Sequence, residues 1–371
     1  MKMQEKRLKA VVFATIACTM FANTNIKAQT DAPKEEFKPT AKIFADVFGD
    51  YYYKMASDTD HSWGTAQFAK KGVDDQGFIF RRAYFGGAFQ FTKNVSGKVM
   101  YEGEDGNLLT TGKKAAGNLK YAYLKIANIW ANGGTFVIGA QHTPTWSPFT
   151  EKIWGYRSIE KTIFDARKMG GSNDVGATVT GHFDKAGTLT YALMVGNGKG
   201  QKPESDKYKK IYGSINGKMM DKKLLWEIYV DYEDHSAEQS KMTVKGFLGF
   251  QTDKITIGLE GGNQKQTQMG AVDTATGKQQ DVVPMGFTGF VRGVLVKDKL
   301  NFFVRSDYFD NNSNSNDTYT ENFFVAGVDF TPVKNTHLMP NIWINTYTAK
   351  GSMPDRDPDI VPRLTFWWKF K

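Results

Sequence analysis

The chain ends in Arg-Leu-Thr-Phe-Trp-Trp-Lys-Phe-Lys, residues 363–371. Its side chains alternate with a two-residue period, which is typical of a strand with two different faces. One face carries Leu364, Phe366, Trp368 and Phe370. The other face carries Arg363, Thr365, Trp367 and Lys369. A soluble strand with one buried face shows the same pattern. However, an exposed aromatic strand edge would aggregate in water, so a strand that closes a lipid-facing barrel is favoured.

The N-terminus has the pattern of a secretory signal. Four basic residues precede an apolar segment over 10–22, and Ile26-Lys27-Ala28 offers a cleavage site before Gln29. The sequence therefore predicts a signal peptide over 1–28 and a short polar N-terminal leader over 29–40. The only cysteine, Cys18, lies in the apolar segment, so lipoprotein cleavage before it is the alternative. After cleavage at 28 the chain would contain no cysteine and form no disulfide.

Composition favours many strands over helices. Aromatic residues make up 14% of the 371 residues, with 37 glycines and 11 prolines. Past residue 30 there is no run of about eighteen apolar residues, which excludes a helical membrane protein. Removing residues 1–28 lowers the formal charge from +9 to about +5. We therefore expect no nucleic-acid partner.

Alternation and turn residues predict about sixteen strands, an all-β transmembrane antiparallel barrel over 41–371. The predicted strands are 41–54, 78–92, 97–105, 118–127, 134–142, 173–184, 187–197, 206–217, 223–233, 241–252, 254–263, 285–297, 299–310, 321–331, 336–348 and 358–371. The last strand is expected to pair with the first and close the barrel.

The connections between these strands alternate between short and long. Short turns such as 93–96, 184–187 and 297–299 alternate with long polar loops such as 143–172 and 264–284. This asymmetry is typical of outer-membrane barrels, whereas a soluble sandwich has no reason to keep it. An even strand number would place both ends of the barrel on the short-turn side.

The two faces of each strand differ in charge. In the second predicted strand Phe85 and Phe89 oppose Arg82, and in the thirteenth Phe302 opposes Arg305. A charge facing hydrocarbon costs ~2–4 kcal/mol at the bilayer midplane, whereas a wet lumen accepts it. We therefore assign the apolar faces to lipid. The reverse assignment would leave an interior too wide for side chains to fill.

The longest connection, 142–172, is expected to fold into the barrel as a constriction loop. It contains a predicted helical segment starting at Ser158 and broken at Gly170-Gly171. An ordered surface loop is the alternative. The predicted pore constriction comprises Arg157, Glu160, Lys161, Asp165, Arg167 and Lys168. The predicted pore wall comprises Arg82, Lys245, Arg292, Arg305, Asp307 and Arg363. Arginine and lysine would favour anions, but the many lumenal carboxylates give mixed signs.

Three passages in order resemble the phosphate-selective porin O and P family, a Bacteroidetes-type outer-membrane porin. They are Phe80–Gly86; Gly139–Pro144 followed by Ser158–Glu160 and Ala166-Arg167; and Val304–Asp310. The resemblance spans most of 41–371. It implies a sixteen-stranded, usually trimeric channel that binds phosphate through an arginine ladder and lysines. Here no ladder can be matched residue by residue, and the lumen is rich in acidic residues.

The sequence and the resemblance together predict a porin of the bacterial outer membrane. It would let small hydrophilic solutes diffuse passively. A more specific expectation is a preference for anions such as phosphate. Expected partners are solutes or anions, outer-membrane lipid, the barrel-assembly machinery through the C-terminal strand, and two further copies in a homotrimer. We expect no enzyme activity, cofactor or metal. The alternatives are a surface binding or adhesion protein and, less favoured, a barrel-embedded hydrolase using His142 with Ser147 or His235 with Ser236.

Overall fold

Sixteen antiparallel strands close into one barrel in the computed structural model, which describes residues 37–58, 71–104, 117–130 and 133–371. Each strand pairs with its neighbours in sequence, and the last pairs with the first. The strands are β1 (Thr40–Tyr53), β2 (Gln76–Gln90), β3 (Val95–Glu104), β4 (Gly117–Ala127), β5 (Thr135–His142), β6 (Asn173–His182), β7 (Leu189–Gly196), β8 (Lys210–Met219), β9 (Leu224–Asp234), β10 (Ser240–Gln251), β11 (Ile255–Thr267), β12 (Met285–Val296), β13 (Leu300–Asp310), β14 (Tyr319–Val333), β15 (Thr336–Ala349) and β16 (Asp359–Phe370). The predicted signal peptide and residues 29–36 lie outside the described residues.

The closing pair of strands confirms the prediction from the C-terminus. β16 pairs with β1 in a register that runs from Ala45 opposite Phe370 to Tyr52 opposite Arg363. On the outer face Trp368 is 42% exposed and Phe370 60% exposed, whereas Arg363 is buried inside. The aromatic face therefore points away from the lumen, as expected for a strand in contact with lipid.

The alternation of connection lengths is also confirmed. The connections at one end are 91–94, 128–134, 183–188, 220–223, 252–254, 297–299 and 334–335. Those at the other end are 54–75, 105–116, 143–172, 197–209, 235–239, 268–284, 311–318 and 350–358. Among the latter only 235–239 is as short as a turn. We call the two ends the short-turn end and the long-loop end.

The alternation of inward-facing and outward-facing side chains is interrupted at Arg81 in β2. Arg81 and Arg82 are neighbours in sequence, yet both are only 4% exposed. The pairing of β1 with β2 shifts between Phe48 and Gly49, which pair with Arg82 and Phe80. This bulge leaves Arg81 without a partner residue and turns its side chain inward, whereas strict alternation would have placed it in lipid.

The helices differ from the prediction. Loop 143–172 contains α1 (Thr150–Trp154) and α2 (Ile163–Ala166), both very short. The predicted helix start at Ser158 is wrong: that residue lies in a turn, in which the Ile159 and Glu160 N–H groups donate to the Tyr156 carbonyl. No helix among the described residues is both long and apolar enough to cross a bilayer.

The predicted eighth strand begins too early, because residues 204–208 bond locally instead of extending. The Glu204 carboxylate accepts the N–H groups of Ser205 and Asp206, at 2.8 and 2.9 Å, and Asp206 accepts the N–H of Tyr208 at 2.8 Å. Acidic side chains that bond to nearby backbone favour turns over strands. β8 therefore starts at Lys210.

We predict that deleting residues 366–371 abolishes folding of the barrel. The deletion removes the pairing of β16 with residues 45–49 of β1 and with 336–338 of β15, which leaves two open strand edges. The measurement is the mobility difference between unheated and heated protein on SDS gels after refolding into vesicles. Deleting Lys371 alone, which follows the end of β16, is the matched control and should leave folding intact. A folded barrel after the longer deletion would contradict this role of the strand.

Candidate functional site

Loop 143–172 folds into the barrel and packs on the inner wall through an apolar cluster. The Trp154 ring, 1% exposed, lies 5.1 Å from the Phe290 ring, and the Tyr156 ring lies 4.6 Å from that of Phe303. Trp154 also donates its ring N–H to the Glu160 carbonyl at 2.9 Å. Burying large aromatic side chains stabilises a contact by about 2 kcal/mol each, so the loop is firmly docked.

Two wall arginines bind the middle of this loop. Arg81 and Arg363 donate to the Ile159 carbonyl at 3.0 and 3.3 Å, and both lie beside the buried Asp50 carboxylate. Arg363 also donates to the Asn341 side chain at 2.7 Å. These guanidinium groups satisfy a backbone carbonyl that water does not reach.

Two further arginines bind the loop on either side of that point. Arg292 donates from Nε to the Ile153 carbonyl at 2.9 Å. Arg305 donates to the Lys161 carbonyl and makes two bonds, at 2.8 and 2.6 Å, to the Asp307 carboxylate. The predicted wall residues Arg292, Arg305 and Arg363 each bind a loop carbonyl, and Asp307 pairs with Arg305.

Lys245 holds the start of α1. Its ammonium lies 2.5 Å from the Glu227 carboxylate, 3.1 Å from Glu260 and 3.0 Å from the Thr150 hydroxyl. Lys245 is buried, and so are both carboxylates. Two carboxylates share one ammonium here, so the lysine is needed to keep them both inside the barrel.

The remaining predicted wall residue, Arg82, lies on another part of the wall. Its Nε is 3.2 Å from the Glu102 carboxylate, which also accepts a 2.7 Å hydrogen bond from Lys120. Lys120 was not among the predicted site residues. All three side chains are buried, so this cluster forms the wall beside the loop.

Two of the six predicted constriction residues, Arg157 and Asp165, line the open space beside the loop. Arg157 lies 3.3 Å from the Glu151 carboxylate and 3.8 Å from Asp165, and Lys161 lies 3.9 Å from Asp165. Burial opposes the charge on Arg157, but Tyr84, Asp165 and Glu151 together raise its pKa. Burial raises the pKa of Glu151, against the attraction of Arg157. Arg157 therefore carries its positive charge throughout the physiological pH range.

The other predicted constriction residues lie elsewhere. The Glu160 carboxylate is buried and accepts the N–H of Lys161 at 2.7 Å. Arg167 lies 2.6 Å from the Glu321 carboxylate, and burial lowers its pKa to about 10 against that attraction. Lys168 is exposed in a left-handed turn, at φ 57°.

A cavity of about 890 Å³ lies between the loop and the wall of β1–β4, near the end of β16. The loop contributes Ser147, Glu151 and Arg157 to its lining. Seven basic side chains face it: Lys42, Lys98, Lys120, Lys152, Arg157, Lys369 and Lys371. Three acidic side chains face it: Asp46, Glu151 and Asp165. A smaller cavity of about 420 Å³ borders the other side of the loop, between Tyr156 and the wall residues Asn301 and Asp329. The basic cavity is the candidate pore because it is the larger of these two and carries more of the charged side chains.

The sequence carried a signal for three of the site residues that the prediction missed. Lys98 precedes the exposed Val99, and Lys120 follows the exposed Leu119, so strict alternation already places both lysines inside. For Arg81, the signal is the Arg81-Arg82 pair itself. Two consecutive charges in a membrane strand can avoid lipid only if the strand bulges between them.

The proposed catalytic pairs do not form in the part of the chain that the structure describes. The Ser147 hydroxyl donates to the Ser172 carbonyl at 3.3 Å, and Ser236 accepts N–H groups of its own turn. His235 lies 3.4 Å from the Glu233 carboxylate. The described residues also contain no cluster of three His, Cys, Asp or Glu side chains that could hold a metal ion.

Solved structures of similar fold include an outer-membrane channel, a porin and a further outer-membrane protein. The anion-selective porin from Comamonas acidovorans matches with a TM-score of 0.60 at 12% identity, over 90% of this chain and 100% of the porin. The outer-membrane channel DcaP of Acinetobacter baumannii matches with a TM-score of 0.62 at 13% identity, over 92% and 100%. OmpT of Vibrio cholerae in its trimer form matches with a TM-score of 0.56 at 10% identity, over 90% and 100%. At such identities the likeness shows a shared barrel fold.

No family model and no curated protein sequence matches this chain. The resemblance to the phosphate-selective porin O and P family therefore stays a prediction.

We predict that Lys245→Met lowers the free energy of unfolding by ~3–5 kcal/mol, because it leaves two buried carboxylates without a countercharge. The triple variant Lys245→Met, Glu227→Gln and Glu260→Gln should recover most of this loss. Denaturant-induced loss of tryptophan fluorescence in vesicles measures both. Lys202→Met, at an exposed loop position, is the control and should change stability by less than ~0.5 kcal/mol. A Lys245→Met variant as stable as the control would show that Lys245 does not anchor the loop.

Proposed function

We propose that this chain is a porin of the bacterial outer membrane, through which small hydrophilic solutes diffuse passively with a preference for anions. The observation that carries this proposal is the basic cavity, in which seven basic side chains outnumber three acidic ones beside the inward-folded loop. Positive side chains at a constriction lower the energy of an anion and raise that of a cation. The cavity also has room for small hydrated solutes, at about 890 Å³.

The cations of the barrel would then serve two different purposes. Arg81, Arg305 and Arg363 are buried and hold the loop through its carbonyls, so they are not available to a solute. Arg292 also holds the loop, through Nε, and borders the smaller cavity. Lys98, Lys152 and Arg157 face the cavity and would meet the permeating ion. An anion such as phosphate would therefore bind to scattered cations, weakly enough to leave again.

Assembly and targeting belong to the same proposal. We propose that residues 1–28 direct export and that β16 is recognised by the barrel-assembly machinery. A homotrimer is supported by the fold shared with OmpT, whose structure in a trimer form matches this chain. The outer belt of exposed apolar side chains, including Leu193, Ile228 and Leu259, would contact lipid or neighbouring copies.

We predict that the purified protein gives stepwise conductance in planar bilayers and a reversal potential displaced toward that of chloride in a KCl gradient. Replacing Lys98 and Arg157 by glutamine should reduce this displacement by roughly half or more, because it removes two cavity cations. The control variant, Lys202→Gln with Lys278→Gln, removes the same charge from exposed long loops and should leave the potential unchanged.

Two results would contradict the proposal at different levels. Stable insertion without any conductance would overturn the porin function and favour a surface binding protein. If the variant conducts but its reversal potential equals that of wild type, Lys98 and Arg157 do not face the permeating ions. That result would overturn the assignment of the pore to this cavity.

A further inference from the structure

The short-turn end of the barrel carries a ring of exposed lysines. Six of its seven connections contain at least one: Lys93, Lys185, Lys223, Lys254, Lys297 and Lys334. Because consecutive strands are neighbours around the closed barrel, these lysines are spread over most of its circumference. We call this set the lysine rim.

The lysine rim is not neutralised by the protein. None of its six lysines lies within 4.0 Å of a carboxylate in the described part of the chain. At the long-loop end some lysines do have a carboxylate partner: Lys199 lies 2.6 Å from Asp206, and Lys350 lies 3.0 Å from Asp310. The charge at the short-turn end is therefore available to an outside partner.

The short turns contain four acidic residues, Asp184, Asp221, Asp253 and Asp298, against eight lysines. The Asp184 carboxylate accepts the N–H groups of Thr188 and Leu189 at 2.9 and 3.0 Å. The Thr188 hydroxyl also donates to this carboxylate and makes the largest contribution to lowering its pKa. Together with the backbone hydrogen bonds it brings the pKa of Asp184 to about 2. Asp298 occupies a left-handed turn position at φ 60°. Only Asp184 is shown to stabilise its turn, and the lysines of the short turns outnumber the carboxylates two to one, so this end keeps an excess of positive charge.

Exposed apolar side chains stand directly beside the lysines. Met219 and Met220 precede Lys223, and Val333 precedes Lys334; all three apolar side chains are more than half exposed. An apolar side chain next to a lysine suits the boundary between hydrocarbon and headgroups, where the lysine stem lies along apolar surface and its ammonium reaches outward.

We propose that the lysine rim binds the phosphate groups of anionic phospholipids in the leaflet that surrounds the short-turn end. Two features select lipid over a soluble acidic partner: the spread of the charges around the barrel and the apolar side chains beside them. A lysine near an anionic membrane surface is attracted to it, and the attractions add over several lysines. The inference rests on the membrane location proposed above but not on the porin activity.

The test uses the full mature protein in phosphatidylcholine vesicles that contain traces of spin-labelled phosphatidylglycerol or spin-labelled phosphatidylcholine. Wild type should favour the labelled phosphatidylglycerol in its boundary lipid by about twofold or more at low salt. Lys223→Gln, Lys297→Gln and Lys334→Gln together should bring this ratio close to one. Salt of about 0.5 M should do the same to wild type, since it screens exposed charges.

The matched control replaces three exposed lysines of the long loops, Lys202, Lys207 and Lys278, by glutamine. This variant should keep the wild-type preference, since its lysines lie away from the rim. Equal loss in both triple variants, or no preference in wild type, would overturn the inference. The mobility difference between unheated and heated protein on SDS gels shows that the variants are folded, and planar-bilayer conductance of the same samples tests the porin function separately. Lipid preference without conductance would contradict the porin function while supporting the rim.

Discussion

The backbone of the inward-folded loop has to be hydrogen-bonded inside the barrel, and the rest of the interior depends on this constraint. A buried carbonyl without a donor costs about as much as a lost hydrogen bond. Arginines of the wall supply the donors: Arg81 and Arg363 at Ile159, Arg305 at Lys161. Their own charges are balanced by wall carboxylates such as Asp50 and Asp307, which explains why acids and bases are mixed on the inner face.

The same contacts explain where the open space lies. The loop packs Trp154 and Tyr156 against Phe290 and Phe303 on one side of the lumen. The opposite side, lined by β1–β4, stays open and keeps its lysines. The buried arginines that donate to backbone carbonyls of the loop cannot bind an ion as well. The basic side chains that face the cavity can bind permeating ions, and the lysines of the short-turn end can bind lipid.

The barrel could be predicted from the sequence because strand alternation and connection length are local signals. The closing pair of β16 with β1 and the outward aromatic face followed directly from residues 363–371. The start of α2 at Ile163 depends on tertiary contacts, which alternation does not contain. The bulge at Arg81 departs from strict alternation, and its sequence signal is the pair of consecutive charges, Arg81 and Arg82. The functions of Arg292 and Arg305 could not be predicted either, because an inward arginine has the same pattern whether it faces a solute or a loop carbonyl.

Thiol accessibility tests most directly whether the passage runs between the loop and the β1–β4 wall. The chain's only cysteine, Cys18, lies in the predicted signal peptide, so single cysteines can be introduced without interference from others. A negatively charged thiol reagent should lower the conductance of Lys98→Cys, at the cavity. It should leave the conductance of Val325→Cys unchanged, because that position is fully buried with the docked loop. A lower conductance of Val325→Cys after reaction, or an unchanged conductance of Lys98→Cys, would contradict the account. In either case the passage would not run between the docked loop and the β1–β4 wall.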